Sequence, residues 1–256
     1  MAEGDTIHRT AARLNEVLAG KQIREVETPN PRSGLGTAMD SVRGRRMERA
    51  EARGKHLLLH FDGGLVLHSH LGMKGAWHVY PRRARWRRPR GSAWLILSTR
   101  SNHAAQFGGP TLALMSGREL ARHPTLAQLG PDILGEDFTV ERGVEALRSG
   151  GAEHQLGEAL LDQRLICGVG NVYKSEGCFV AEIDPWRLVG ELSDADLARV
   201  VEETRALMRT GLEGRRPDRQ VYRRAKRPCP RCGAPLRARG QGDANRTTYW
   251  CGRCQH

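Results

Sequence analysis

Apolar positions change their period along the chain, and the changes divide it. Ile7, Ala11, Leu14 and Leu18 repeat at helical spacing behind Asp5, a residue able to cap a helix, and Gly20 stops the pattern; a first helix is predicted there. From Gln22 onward the runs become short and β-rich. The clearest are His56-Leu-Leu-Leu-His-Phe61 and Leu65-Val-Leu-His-Ser-His-Leu71 around the turn Asp62-Gly-Gly64, a predicted hairpin, and further strands are expected over 75–80, 93–98 and 111–115. After Leu129-Gly-Pro-Asp-Ile-Leu134 the composition turns helical, with segments near 139–148, 154–161, 171–180 and 193–210. Ser193 with Asp196 has the form of a capping box, and Leu197, Val200, Val201 and Met208 make an apolar stripe behind it. The expected fold is α+β and multidomain: a β-sandwich or flattened barrel flanked by helices over 1–126, an all-helical domain over 127–214, and a hairpin module over 215–256.

The last module carries the sharpest chemical signal. Cys229-Pro-Arg-Cys232 and Cys251-Gly-Arg-Cys254 are two C-x-x-C knuckles spaced for one structural Zn²⁺, and four thiolates leave no open position for a catalytic water. The metal would hold a hairpin too poor in apolar residues to fold alone. Gly240-Gln-Gly-Asp-Ala-Asn-Arg246-Thr-Thr-Tyr-Trp250 reads as that hairpin, with Arg246 near its turn. Cys167 and Cys178 lack metal spacing and sit in apolar company, as small buried hydrophobes do.

Charge then narrows the partners. Lys plus Arg number 41 against 29 Asp plus Glu, a formal +12, and no apolar stretch is long enough to suggest a membrane span. Residues 214–256 alone hold 12 Lys or Arg against 2 Asp, so that even a zinc tetrathiolate leaves the module near +8, a charge suited to nucleic acid. Met-Ala-Glu-Gly-Asp opens the chain without a basic and apolar leader, so a cytoplasmic, nucleoid-associated monomer with reduced cysteines is expected. Pro217 to Arg227 reads as a basic connector. Pro81-Arg-Arg-Ala-Arg-Trp-Arg-Arg-Pro-Arg90 is a basic loop for which phosphate contact and simple solvation stay equally open. Gly168-Val-Gly-Asn171 before a helix predicts a tight turn whose free amides and Asn171 side chain can hold a phosphate, although an ordinary helix connection has the same form.

Several separated stretches together resemble the bacterial formamidopyrimidine-DNA glycosylase and endonuclease VIII family over the whole chain. Ala2-Glu3-Gly4-Asp5 resembles its Pro-Glu-Gly opening, Arg53-Gly-Lys55-His-Leu-Leu-Leu its strand with a phosphate-gripping lysine, and His70-Leu-Gly-Met73-Lys-Gly75 its intercalation loop. Leu161-Asp-Gln through Gly168-Val-Gly-Asn171-Val-Tyr-Lys-Ser-Glu176 is similar to its helix-two-turn-helix motif, and Arg246-Thr-Thr-Tyr-Trp-Cys251 to the tip of its zinc finger. The resemblance implies base-excision repair of damaged double-stranded DNA by a glycosylase with abasic-site lyase activity. In the implied roles the Ala2 amine attacks C1′, Glu3 handles protons, and Lys55, Asn171 and Arg246 grip phosphates, with Lys55 and Arg246 counted in the catalytic set. Met73 would fill the void left by the flipped base.

Elementary acid–base chemistry agrees with an N-terminal nucleophile. Loss of Met1 is expected before a residue as small as Ala, and an α-amine of pKa about 7.7 to 8.0 is neutral in about one molecule in six to eleven at pH 7, against about one in 2,500 for an ordinary lysine. Position 2 departs from the family pattern, which has Pro there. A secondary amine necessarily gives a cationic iminium, whereas the Ala2 imine must take up a proton to serve as the same electron sink. A working variant, a variant specialised for another lesion or for binding only, and an engineered block to chemistry all stay open. Glu3 as a carboxylate in the first helix's dipole, and Met73 as a core methionine, also stay open. The loop over 102–110 keeps Phe107 but no Arg, which turns the resemblance toward the endonuclease VIII branch and oxidised pyrimidines. Two other classes compete: a lesion binder without lyase chemistry, and a zinc-ribbon transcription or RNA-binding factor.

Overall fold

The computed structural model describes residues 2–33, 35–215 and 218–256. Met1, whose removal the sequence suggests, and Pro217 at the start of the connector lie outside the described residues. The described residues form two compact units, Ala2 with those from Thr6 to Ala127 and Glu3–Asp5 with those from Gln128 to His256.

The helix α1 (Gly4–Leu18), which belongs to the first unit from Thr6 onward, buries Ile7, Leu14 and Leu18 completely and Ala11 nearly so. The helix starts at Gly4, so Asp5 lies in its first turn instead of capping it. Eight strands follow: β1 (Glu25–Glu27), β2 (Met47–Arg53), β3 (His56–Phe61), β4 (Leu65–His70), β5 (Ala76–Pro81), β6 (Leu95–Ser98), β7 (Asn102–Phe107) and β8 (Thr111–Ser116). A short helix, α2 (Gly117–Ala121), is closed by a capping box between Ser116 and Glu119. The strands make two four-stranded sheets, ordered β1-β6-β7-β5 and β2-β3-β4-β8. The β3–β4 hairpin pairs His56 with His70 and Phe61 with Leu65, which sends Leu57, Leu59, Phe61 and Leu67 inward to meet α1 and Leu95 and Leu97 of the other sheet.

Residues 102–107, expected in a loop, are strand β7, and Phe107 is only 2% exposed in a small cluster with Tyr80, Ile96 and Ala105. His103, Ala105 and Phe107 alternate on one face, a period-two signal hidden by the polar Asn102 and Gln106. The connection to β8 shrinks to Gly108-Gly109-Pro110.

The outer face of β3 and β4 carries a histidine cluster. His56 Nδ1 and His68 Nε2 are 2.8 Å apart, and the His56 ring lies 4.8 Å from that of His70. Burial and the neighbouring imidazoles hold His56 down to about 3 and His68 to about 4.

In the second unit α3 (Val140–Ser149), α4 (Leu156–Ala159), α5 (Asn171–Val180) and α6 (Asp194–Leu212) share one apolar core through Leu147, Leu156, Leu197, Val201 and their neighbours. The predicted Ser193–Asp196 capping box is formed. The helix expected over 154–161 is a single turn, because Gln155 and Leu188 form a bridge at its start. β9 (Arg237–Gln241) and β10 (Arg246–Trp250) pair as an antiparallel hairpin.

The histidine cluster yields a pH prediction. The unfolded chain, its imidazoles near their ordinary value, binds more protons than the folded chain between about pH 6.5 and 4, so stability falls as pH drops through that window. His68→Leu should flatten the decline by up to about 1.4 kcal/mol per pH unit in urea unfolding; an unchanged slope would contradict the burial of a neutral imidazole.

Candidate nucleic-acid site and metal centre

Within the second unit, the Glu3 carboxylate caps α5. It is 2% exposed and accepts from the backbone amides of Val172 at 3.0 Å and Tyr173 at 3.4 Å. Helix N-terminal amides point outward with the positive end of the dipole, which is what a buried carboxylate requires. The amides that the sequence offered to a phosphate are therefore taken by Glu3, and the helix it serves is α5 instead of α1. Gly170 allows this: a Cβ there would lie 2.2 Å from the Glu3 Cδ.

Asn171, the first residue of α5, is 7% exposed and donates from Nδ2 to the Thr247 carbonyl at 2.7 Å. Its Oδ1 is buried and has no hydrogen-bond partner among the described residues. One turn further, Lys174 is fully buried and donates from Nζ to the Thr248 hydroxyl. That hydroxyl donates to Gln241 Oε1 at 2.6 Å, and the Gln241 amide donates to the Pro185 carbonyl at 2.8 Å. Burial, with a smaller push from Arg246, draws the Lys174 ammonium down to about 8 against the pull of Glu3. Sequence reasoning missed Lys174. Its signal was a lone cation three residues after Asn171, on the same helix face.

Arg246 opens β10 and is exposed, beside the turn that Gly242 and Asn245 make with positive φ of 67° and 47°. Glu176 is 1% exposed and accepts from the amides of Gln220, Val221 and Tyr222 at 2.7–3.1 Å. The basic connector is thus clamped from Gln220 onward, with Val221 and Tyr222 buried.

The four cysteine sulfurs lie within 4.8 Å of one another, with Cys229–Cys254 at 3.9 Å and Cys232–Cys251 at 3.6 Å. Tetrahedral zinc with bonds of about 2.3 Å separates its sulfurs by about 3.8 Å, so this donor set fits one structural Zn²⁺. Cys167 and Cys178 are both fully buried, and burial pushes the Cys178 thiol up to about 12, which leaves it inert.

Within the first unit, the Ala2 nitrogen donates to the Gly72 carbonyl at 3.2 Å, and Ala2 packs against the sandwich core. The turn after β4 is narrow: Gly72 has φ 56°, and a Cβ there would lie 2.8 Å from Pro110. Met73 follows at 66% exposed, the one large exposed hydrophobe among the described residues, so it is no core methionine. Leaving it in water forgoes about 1–2 kcal/mol of burial. Lys55 sits in the β2–β3 turn beside His56 and His70, whose imidazoles its charge disfavours from protonating.

Three outcomes follow. Gly170→Ala keeps an extended backbone that any residue adopts yet displaces Glu3 from the α5 amides, so it should lower stability by about 1–3 kcal/mol in urea unfolding while circular dichroism stays native. Lys174→Met should remove a pH dependence: with its folded value about 8 and its free value about 10.5, Lys174 makes stability rise between those pH values, and the variant should lose that rise in denaturant titrations. Chelation of zinc should unfold the hairpin and abolish DNA binding, read by anisotropy alongside metal release; intact binding after stoichiometric loss of metal would oppose a structural role.

The chain matches the formamidopyrimidine-DNA glycosylase N-terminal domain over residues 1–120, the formamidopyrimidine-DNA glycosylase H2TH domain over 129–220, and the zinc finger found in FPG and IleRS over 227–256. It is 41% identical to the "probable endonuclease 8 2" of Streptomyces coelicolor, spanning all of this chain and 94% of that protein. It is 35% identical to the DNA-(apurinic or apyrimidinic site) lyase Nei2 of Mycolicibacterium smegmatis, across 100% of this chain and 99% of the other. A third relative, the formamidopyrimidine-DNA glycosylase of Thermus thermophilus, is 31% identical over 100% of this chain and 98% of its own length. Lactococcus lactis Fpg in complex with N7-benzyl-Fapy-dG DNA shares the fold with a TM-score of 0.82 at 22% identity, covering both chains completely. No helix among the described residues is long and apolar enough to cross a membrane. With full-length relatives above 30% identity and matches that follow one another along the whole sequence, the chain belongs to the formamidopyrimidine-DNA glycosylase and endonuclease VIII family.

Proposed function

We propose that this chain is a base-excision repair DNA glycosylase with abasic-site lyase activity that works through its N-terminal amine, in three parts over 1–126, 127–214 and 215–256. The observation that carries it is the turn after β4. One turn both accepts a hydrogen bond from the Ala2 N–H, at 3.2 Å from Gly72, and exposes Met73, so the nitrogen that removal of Met1 would free as the nucleophile and the side chain that would fill the void share a single short support. A flipped base leaves a gap that an apolar wedge must occupy, and the attacking atom must then meet the sugar of that same nucleotide.

In the proposed chemistry the neutral Ala2 amine attacks C1′, the glycosidic bond breaks, and the base leaves with a proton. Loss of the ring oxygen bond gives an imine, which on protonation accepts the electron pair released when C2′ gives up a proton. β-Elimination then breaks the bond to the 3′ phosphate, and a further elimination can release the 5′ side. Glu3, adjacent in the chain, serves the ring opening as proton carrier. Lys55, Asn171 and Arg246 hold phosphates around the lesion.

Oxidised pyrimidines are the proposed lesions. Support comes from the Gly108-Gly109-Pro110 turn, which offers no arginine, and from Phe107, which is committed to the core. Lactococcus lactis Fpg has itself been crystallised with DNA containing an oxidised pyrimidine, so the fold admits such a base. Ala2 in place of proline favours one second reading, a lesion binder with slow lyase chemistry.

Borohydride trapping on abasic DNA separates the two: a covalent adduct at the N-terminus is expected, and tight binding with no adduct would establish the binder. Glu3→Gln should lower single-turnover cleavage far more than affinity. Arg246→Ala should weaken binding by roughly 1.5 to 3 kcal/mol, about tenfold to a hundredfold, with a smaller loss of rate. Cleavage by Glu3→Gln at the parent rate would sink the assignment of Glu3.

A further inference from the structure

The first unit contains a cleft that the lesion chemistry does not use. It holds about 610 Å³ between α1 and β5, and residues of the basic loop contribute to its lining. Arg9 and Arg13 of α1, Trp77 and Tyr80 of β5, and Arg85 and Arg87 of the loop line it, and among the described residues no carboxylate contributes to the lining.

The loop is built, not merely solvated. Trp86 stacks on Tyr80 at 4.4 Å with ring planes 13° apart, Arg82 pairs with Glu25, Arg90 with Glu27, and Arg88 lies 4.8 Å over the Phe107 ring. Its carboxylate partners go to arginines outside the cleft. Arg9, Arg85 and Arg87 have no carboxylate partner among the described residues, and Arg13 has only the exposed Glu16. Cations gathered without counter-charge repel one another, and an anionic occupant removes that cost.

Two kinds of anionic chain could lie here. An acidic peptide would add to the free edge of β5, but that strand ends in Pro81, which has no amide to give, and arginines flank it, as on edges that refuse a further strand. A nucleic-acid strand needs no edge: guanidinium forks match phosphate oxygens, and the half-buried Trp77 supplies aromatic surface. Arg9 and Arg13 stand one helical turn apart, about 6 Å along the axis, comparable with successive phosphates of an extended strand. We infer that the α1–β5 cleft is a second nucleic-acid site, which takes the sugar-phosphate backbone of a strand outside the lesion contacts. It rests on the DNA-binding part of the function proposed above and is independent of lyase chemistry.

The test uses the full zinc-loaded chain and a variant with Arg9→Gln, Arg85→Gln and Arg87→Gln, against a control with the same loss of charge at Arg118, Arg142 and Arg199. Anisotropy with an undamaged duplex and an undamaged single strand is followed from low to physiological salt. The cleft variant should lower the slope of log affinity against log salt by about 2 to 3 and weaken binding at least tenfold, and the control should move the slope by less than about 1. Equal effects from both variants, or no change in slope, would overturn the proposal. So would a glutamate-rich peptide that binds the parent and not the cleft variant while the DNA slopes coincide. Melting temperatures verify that each variant is folded. Cleavage of a short abasic duplex at saturating protein should be unchanged in the cleft variant. If the parent itself fails to cleave while the slopes still differ, the lyase reading falls and the cleft stands.

Discussion

A helix that buries charged side chains must find partners for them, and α5 organises the second unit through that constraint, leaving Asn171 Oδ1 and the Ser175 hydroxyl without a partner among the described residues. Asn171, Lys174 and Glu176 are all at most 7% exposed, in a helix that also buries Tyr173, Cys178 and Phe179. An unpaired buried donor or acceptor costs about 1–3 kcal/mol, and more when charged. Asn171 and Lys174 bond to Thr247 and Thr248 of β10, Glu176 to the connector amides, while Glu3 meets the helix's own free amides. The N-terminal residues, the connector and the zinc hairpin are thereby positioned on one short helix.

The same arrangement bears on which amine can react. Lys174, at about 8, would be nearly as deprotonated at neutral pH as a chain terminus, so acidity alone does not select the nucleophile. In the proposed attack by the Ala2 amine, access separates the two: Lys174 is fully buried and bonded to Thr248, whereas Ala2 is only half-buried. Attack requires a lone pair that can reach C1′, and a lysine holding two elements together cannot supply one without breaking them apart.

Zinc and charge divide the work of the last module. The tetrathiolate replaces the apolar core that so short a hairpin lacks, with Cys229 and Cys251 buried beside Phe179, Val221 and Leu236. That leaves the surface free to be cationic, and Arg246 stays exposed at the turn because nothing in the fold needs it buried.

Period and spacing determined much of this protein without coordinates. The first helix, the β3–β4 hairpin, the Ser193 cap, the cysteine ligand set and the hairpin bearing Arg246 follow from contacts close in sequence, where local geometry decides. What lay beyond reach depends on pairs far apart in the chain. Residues 102–107 became a strand because β5 and β6 flank them, and Phe107 entered a core that the basic loop helps to cover. The Gly168-Val-Gly-Asn171 turn showed free amides to a reader of the sequence, but only the tertiary structure brings Glu3 onto them across 169 positions. Nothing in the local sequence marks Lys174 as buried; Thr248 and Gln241, far along the chain, enclose it. Burial of a charge is decided by whatever packs over it, and no local pattern carries that information.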